Sequence, residues 1–216
     1  MTKPHYDTVD PYLKLVLKKL MDEPLFDAFR LVGGTSLSLQ IGHRISVDID
    51  LFTDAPYRSI DFSAIDNYFI DNFSFVDRAN DVEDGFGRMY FVGESSSKAI
   101  KIDLMYTDTF IRDTIDIGGI RVAAIEEIVA MKLDVMARVR RKKDFWDIHS
   151  CLEHFAWNKM LMLYAERYPF GFSNEEIEEG IKRIDEADDD LNPICLQGKH
   201  WEVIKLDLLD LLDTTH

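Results

Sequence analysis

Asp48 and Asp50 are the residues from which a chemical reading of this sequence starts. In Ile45-Ser46-Val47-Asp48-Ile49-Asp50-Leu51-Phe52, apolar residues alternate with Ser46, Asp48, Asp50 and Phe52. This period of two predicts a strand over 45–52 with both aspartates on one face. Carboxylates held side by side repel, which raises a pKa unless a cation lies between them, and their hard oxygens suit Mg²⁺ or Mn²⁺. In phosphoryl-type transfer such metals neutralise a triphosphate, hold it in line and activate the attacking hydroxyl. A third carboxylate is usually wanted. Asp103 is the candidate, because Ile100-Lys101-Ile102-Asp103-Leu104-Met105 alternates in the same way and would pair with the first strand. The expected metal ligands are Asp48, Asp50 and Asp103.

Upstream, Gly33-Gly34-Thr35-Ser36 separates a short apolar strand at 29–32 from a helical pattern at 36–41. Unhindered backbone with free N–H groups at a helix N-terminus is where phosphate is held most easily. Gly33, Gly34, Thr35 and Ser36 are therefore expected to cradle a triphosphate. His43, Arg44 and Ser46 lie between this turn and the carboxylates and are expected to contact phosphate or sugar, Arg44 through its fork of donors. Taken singly, an Asp-x-Asp on a strand is commonly a solvated face, and a Gly-Gly pair is commonly only a turn. Their order within one supersecondary unit, followed by a later strand carrying Asp103, is what favours a nucleotide site.

The elements that must position these groups are legible from spacing. Asp10 and Pro11 open a helix to Met21 with Leu13, Val16, Leu17 and Leu20 on one stripe. A helix at 60–69 and strands at 73–76, 89–92 and 100–105 follow, and Gly118-Gly119 marks a hairpin or turn. From Ala123 the pattern is helical at 128–139, 145–154, 160–164, 175–184 and 201–212. The fold class is α+β, a mixed sheet flanked by helices. A boundary near Ala123 divides a catalytic core at 1–122 from a helical C-terminal region at 123–216.

Composition narrows the function further. A chain of 216 residues that is 46% hydrophobic can bury a core of one domain or two small ones. Cys151 and Cys195 lack metal-ligand spacing, which opposes a disulfide framework or zinc site and makes a reducing cytoplasm the expected location. The first ten residues lack a signal-peptide core and no apolar run is long enough to span a bilayer, so neither secretion nor a membrane partner is expected. The six histidines form no His-x-x-x-His pair, and Ser36 and Ser38 lack a His and Asp arrangement, which opposes zinc and serine hydrolases. A net charge of −15 opposes general nucleic-acid binding, yet Arg138, Arg140, Arg141, Lys142 and Lys143 gather positive charge locally. The acidic run from Glu175 to Asp190 reads as a solvated face or a dock for a basic protein. Trp146, Trp157, Tyr164, Tyr168, Phe170 and Phe172 read as core rather than as base-stacking groups.

The segment Leu31 to Phe52, with Gly33-Gly34-Thr35-Ser36 and His43-Arg44-Ile45-Ser46-Val47-Asp48-Ile49-Asp50-Leu51-Phe52, resembles the signature of the AbiEii/AbiGii toxin family of nucleotidyltransferases. The resemblance implies a polymerase-beta-like nucleotidyltransferase fold whose helical C-terminal part closes over the nucleotide. It also implies an NTP substrate, Mg²⁺ or Mn²⁺, and an antitoxin partner in a type IV toxin–antitoxin or abortive-infection pair. Lys132 and Lys143-Asp144-Phe145-Trp146-Asp147-Ile148 look like the family's later motifs. By that likeness Lys132 holds triphosphate and Asp144 orients basic groups or assists near the nucleotide, and helical spacing puts Asp144 and Asp147 on one face. The family commonly has an arginine seven residues after that lysine, where this chain has Val139 between Arg138 and Arg140. The expected activity is transfer of a nucleoside monophosphate to an acceptor. The likeness favours RNA, namely a tRNA 3′ end reached through Arg138 to Lys143. A protein hydroxyl acceptor is an alternative. So is a non-catalytic nucleotide-binding module acting through a partner, which the three carboxylates oppose.

Overall fold

The computed structural model describes residues 3–78 and 86–215. Helix α1 (Pro11–Met21) starts where a cap and a ring-locked φ coincide: the Asp10 side chain accepts from Tyr12 N at 2.7 Å and Pro11 takes the first helical position. Its stripe of Leu13, Val16, Leu17 and Leu20 is at most 1% exposed and packs in one cluster with Leu31, Ile49 and Ile102 of the sheet. There follow β1 (Arg30–Leu31), α2 (Gly33–Ile41), β2 (Ile49–Thr53), α3 (Phe62–Asn72), β3 (Phe75–Arg78), β4 (Gly87–Gly93) and β5 (Ala99–Tyr106). A hairpin of β6 (Ile115–Asp116) and β7 (Arg121–Val122) turns through Gly118 and Gly119.

These seven strands form one mixed sheet in the order β3-β4-β5-β2-β1-β7-β6. The central strand β2 runs parallel to β5 and antiparallel to β1, and its register sets Asp50 directly opposite Asp103. Alternation decides the two faces of β2: Ile49, Leu51 and Thr53 are wholly buried, whereas Asp50 and Phe52 are partly exposed on the other side.

Five helices complete the chain: α4 (Ile125–Arg138), α5 (Lys142–Cys151), α6 (Trp157–Arg167), α7 (Asn174–Lys182) and α8 (Trp201–Thr215). Helix α7 begins with a capping box between Ser173 and Glu176. A second core of Leu133, Phe145, Trp146, Trp157 and Trp201 holds them together, with Trp146 and Trp201 stacked at 6.4 Å. Trp146, Trp157 and Tyr164 are thus core, as expected, but Phe170 is fully exposed on the loop after α6.

Two elements depart from the sequence periodicity. The strand expected over 45–52 begins only at Ile49, because the preceding backbone is engaged elsewhere: Ser46 N donates to Thr8 O at 2.8 Å and Ile45 N to Ile194 O at 2.9 Å. Helix α2 begins at Gly33 rather than Ser36, so the glycine turn is itself the first helical turn. The acidic run is not simply a solvated face either. Ile177, Ile181, Ile184 and Ala187 are buried within it, and Asp188 accepts from Trp201 Nε1 at 2.7 Å and pairs with Lys205 at 2.9 Å.

Candidate active site

A cavity of about 890 Å³ opens between β2, β5, α2 and α4, within the range of small-molecule sites. Asp48, Asp50 and Asp103 line it together. Asp50 comes from β2, Asp103 from its parallel neighbour β5, and Asp48 from the residue pair just before β2. Burial, then the charge of Asp103, pushes the Asp50 carboxyl up to about 6; Asp48 adds to the rise, and Lys132 and Lys101 oppose it. Lys101 Nζ reaches Asp103 Oδ2 at 2.5 Å from two residues up the same strand face. Asp103 Oδ1 is buried and accepts no hydrogen bond. Such an oxygen is costly unless something electropositive joins it. Among the described residues no group of three or more His, Cys, Asp or Glu side chains is placed to hold a metal ion by itself. A hard cation of the Mg²⁺ kind takes one or two carboxylates and completes its octahedron from substrate phosphates and water, so this open donor set fits it.

At the other side of Asp50 the glycine turn closes in. Gly33 has φ +67°, and a Cβ there would run into the Asp50 carboxylate; one on Gly34 would meet the Arg44 guanidinium. Val32 supplies no side-chain cap to α2, so the N–H groups of Gly33 and Gly34, which precede the first intrahelical bond from Ser36 N to Val32 O, are available at the cavity wall that these glycines line.

The structure moves several expected nucleotide contacts into supporting positions. Thr35 is buried, its hydroxyl donating to Asp48 O and sharing a 2.8 Å hydrogen bond with the Ser46 hydroxyl, which ties the glycine turn to the carboxylate segment. Ser36 is wholly buried behind the turn, its N–H closing on Val32 O and its hydroxyl accepting from Gln40 Nε2 at 3.2 Å. His43 is fully buried and does not line the cavity, so the expected phosphate or sugar contact is replaced by a bond from Nε2 to Asp147 Oδ1 at 2.8 Å. Burial lowers the His43 pKa, with the Asp147 bond opposing. Arg44 and Ser46 line the cavity, but the Arg44 fork is spent on Asp147, Nε to Oδ1 at 2.6 Å and Nη2 to Oδ2 at 2.9 Å.

Lys132 projects from α4 onto two carboxylates of α5, Asp144 at 2.7 Å and Asp147 at 2.6 Å. Burial alone would lower its pKa; Asp147 and Asp144 outweigh that and raise it, so the ammonium is kept charged beside the carboxylate cluster. Asp147 is held well below the usual carboxylate range: burial opposes this, but Arg44, Lys132 and His43 outweigh it. Asp144 also takes Arg141 Nε at 2.6 Å. The sequence signal for Asp147 was its i+3 spacing from Asp144. For Lys101 it was the period of two that aligns it with Asp103.

The basic stretch expected to reach RNA is mostly consumed within the chain. Arg138 pairs with Asp134, Arg140 with Glu186 and Arg141 with Asp144, while buried Lys142 donates to Asp188 O and Asp190 O at 2.8 Å each. The local carboxylates of an acidic chain take up these cations. Lys143 and Arg141 line the cavity, whereas Arg138 and Arg140, the neighbours of Val139, do not. The strap 190–194 also forms part of the wall, through pairing of Ile45 with Ile194 and Leu196 with His43 that no local pattern signals.

A mixed sheet with Gly-Gly turn, paired strand carboxylates and a helix-borne lysine defines a nucleotidyltransferase. The family described as "Nucleotidyl transferase AbiEii toxin, Type IV TA system" matches residues 15–213, and the chain belongs to it. That family comprises toxins of toxin–antitoxin pairs, which gives the protein a nucleotide substrate and an antitoxin partner. Among solved structures the fold is similar to JHP933 from Helicobacter pylori, at 20% identity and TM-score 0.59, covering 94% of this chain and 88% of that one. It is also similar to MenT4, a nucleotidyltransferase toxin from Mycobacterium tuberculosis, at 16% identity and TM-score 0.57, covering 94% and 83%. No curated relative matches the sequence. No helix among the described residues is long and apolar enough to cross a membrane.

Proposed function

We propose that the protein transfers a nucleoside monophosphate from an NTP to the 3′ end of an RNA of the tRNA class, with Mg²⁺ or Mn²⁺ held by Asp48, Asp50 and Asp103. The observation that carries this reading is the partnerless, buried Oδ1 of Asp103, a residue that lines the cavity together with Asp48, Asp50 and the glycine turn. When bound, the cation neutralises phosphate charge and strengthens the acceptor as a nucleophile. The first-turn N–H groups at Gly33 and Gly34 donate to triphosphate oxygens. Lys132, kept cationic by Asp144 and Asp147, balances the charge of the leaving group. The acceptor oxygen bonds to the α-phosphorus as the bond to the bridging oxygen breaks. Pyrophosphate departs with that electron pair, and the hydroxyl proton passes to water while Asp103 positions the acceptor.

The family likeness supports RNA as acceptor. The net charge of −15 and the internal pairing of Arg138, Arg140, Arg141 and Lys142 favour a second reading, a protein hydroxyl acceptor. Incubation with each α-labelled NTP, Mg²⁺ or Mn²⁺, total tRNA and total protein separates them. The expected result is label on RNA that vanishes in Asp48→Ala and Asp50→Ala. Label on protein selects the second reading, and no metal-dependent transfer reduces the protein to a nucleotide-binding module.

A further inference from the structure

The cavity is chemically sorted along β2. Around Asp50 its wall carries the carboxylates and the cations Lys101 and Lys132. One strand pleat further on, about 7 Å by strand geometry, the same face presents Phe52, and the lining adds the apolar Met131 and Val135 of α4 on either side of Asp134, the Tyr168 ring after α6, and Thr107 after β5. These side chains are partly exposed, while their chain neighbours Leu51, Leu133 and Met136 are wholly buried. Apolar surface left open in a concave wall is unfavourable unless a ligand covers it.

The slot is also rigid. Arg167, itself buried, donates from Nε to the Tyr168 hydroxyl at 3.1 Å and from Nη2 to Thr107 Oγ1 at 2.9 Å, and is fixed in turn by Glu127 at 2.6 Å. The Tyr168 ring is braced by Tyr164 at 5.2 Å. Buried Arg167 stands behind Tyr168, its guanidinium carbon 5.2 Å from the ring centroid, so this part of the cavity presents the Phe52 and Tyr168 side chains and not the cation.

We infer that the slot lined by Phe52, Tyr168, Met131 and Val135 binds the base of the incoming NTP and selects the nucleotide. This rests on the nucleotidyltransferase reading above. Continuity favours the NTP base over the acceptor's terminal base, because Asp48, Asp50 and Phe52 follow one another along the same wall, as α-phosphate and base follow one another across a ribose.

The test is calorimetric titration of the whole protein with Mg²⁺ and either each NTP or inorganic tripolyphosphate, after thermal melts show the variants folded. Wild type is expected to bind its preferred NTP more tightly than tripolyphosphate. Phe52→Ala and Tyr168→Ala should each weaken NTP binding about 10-fold, as loss of one stacking face does, with tripolyphosphate affinity within twofold of wild type. Tyr168→Phe, which keeps the ring, should retain NTP affinity, and Met131→Trp, which fills the slot, should abolish the preference. Parallel loss of both ligands overturns the slot, as does unchanged NTP affinity with a raised KM for the acceptor. Wild type that binds tripolyphosphate and every NTP alike sinks the slot and spares the transferase reading; wild type that binds neither sinks both.

Discussion

Replacing Asp147 by Asn tests the polar network beneath the site most directly. The carboxylate is wholly buried and accepts from Arg44 Nε at 2.6 Å, Arg44 Nη2 at 2.9 Å and His43 at 2.8 Å, besides pairing with Lys132 at 2.6 Å. An amide keeps the volume and one acceptor, but leaves the Arg44 guanidinium buried without its counter-charge. Breaking a buried pair in this way costs about 3–5 kcal/mol. At about 2–4 °C per kcal/mol for a chain of this size, the melting temperature should fall by about 6–20 °C. The comparison variant is Asp207→Asn, which removes the half-exposed partner of His149, a surface pair worth about 0–1 kcal/mol. pH adds a second reading. The folded pKa of Asp147 lies below its ordinary value of 3.8, so its stabilisation is present above that value and is lost as pH falls through the folded pKa. The gap between wild type and Asp147→Asn should therefore be full at pH 6 and narrow below about pH 4. Scanning calorimetry at several pH values measures both. A fall of less than about 2 °C at pH 6, well under the range worked out above, refutes the network as a structural keystone.

Gly33→Ala should cost about 1–2 kcal/mol from the left-handed φ and also crowd the Asp50 carboxylate, so transfer activity should fall far more than stability; equal, small effects on both would contradict the close approach drawn here. Mg²⁺ with a non-hydrolysable NTP should raise the melting temperature, and more at pH 7.5 than at pH 5.5. Protonation of Asp50, whose carboxyl is pushed up to about 6, competes with the cation below that pH, and Asp50→Asn should flatten the difference. Arg167→Met strands Glu127 in the core and removes the brace on Thr107 and Tyr168. A loss of about 3–5 kcal/mol in urea unfolding is expected; less than about 1 kcal/mol, the scale of a surface pair, would mean that the pair is solvated.

The β2 and β5 carboxylates were legible because strand alternation carries both position and facing: Asp50 and Asp103 sit on the predicted face, and the parallel register places them opposite each other. The capped stripe of α1 was legible for the same local reason. Local patterns could not show that the Arg44 fork turns inward to Asp147, because nothing near position 44 reports on a partner at 147. Nor could they show that 43–47 leaves the sheet, since its competing partners, Thr8 and Ile194, are distant in the chain. The basic run misled for a related reason: it reads as a surface patch until the folded chain supplies Glu186, Asp188 and Asp190 as its acceptors.

The strap that pairs Ile194 with Ile45 and Leu196 with His43 makes the order of synthesis matter. Asp48, Asp50, Asp103, the glycine turn and Lys132 are all made before the residues that finish the pocket wall at 190–194. A chain cut before residue 190 would keep every one of those groups and lose both this wall and the acceptor of Ile45 N.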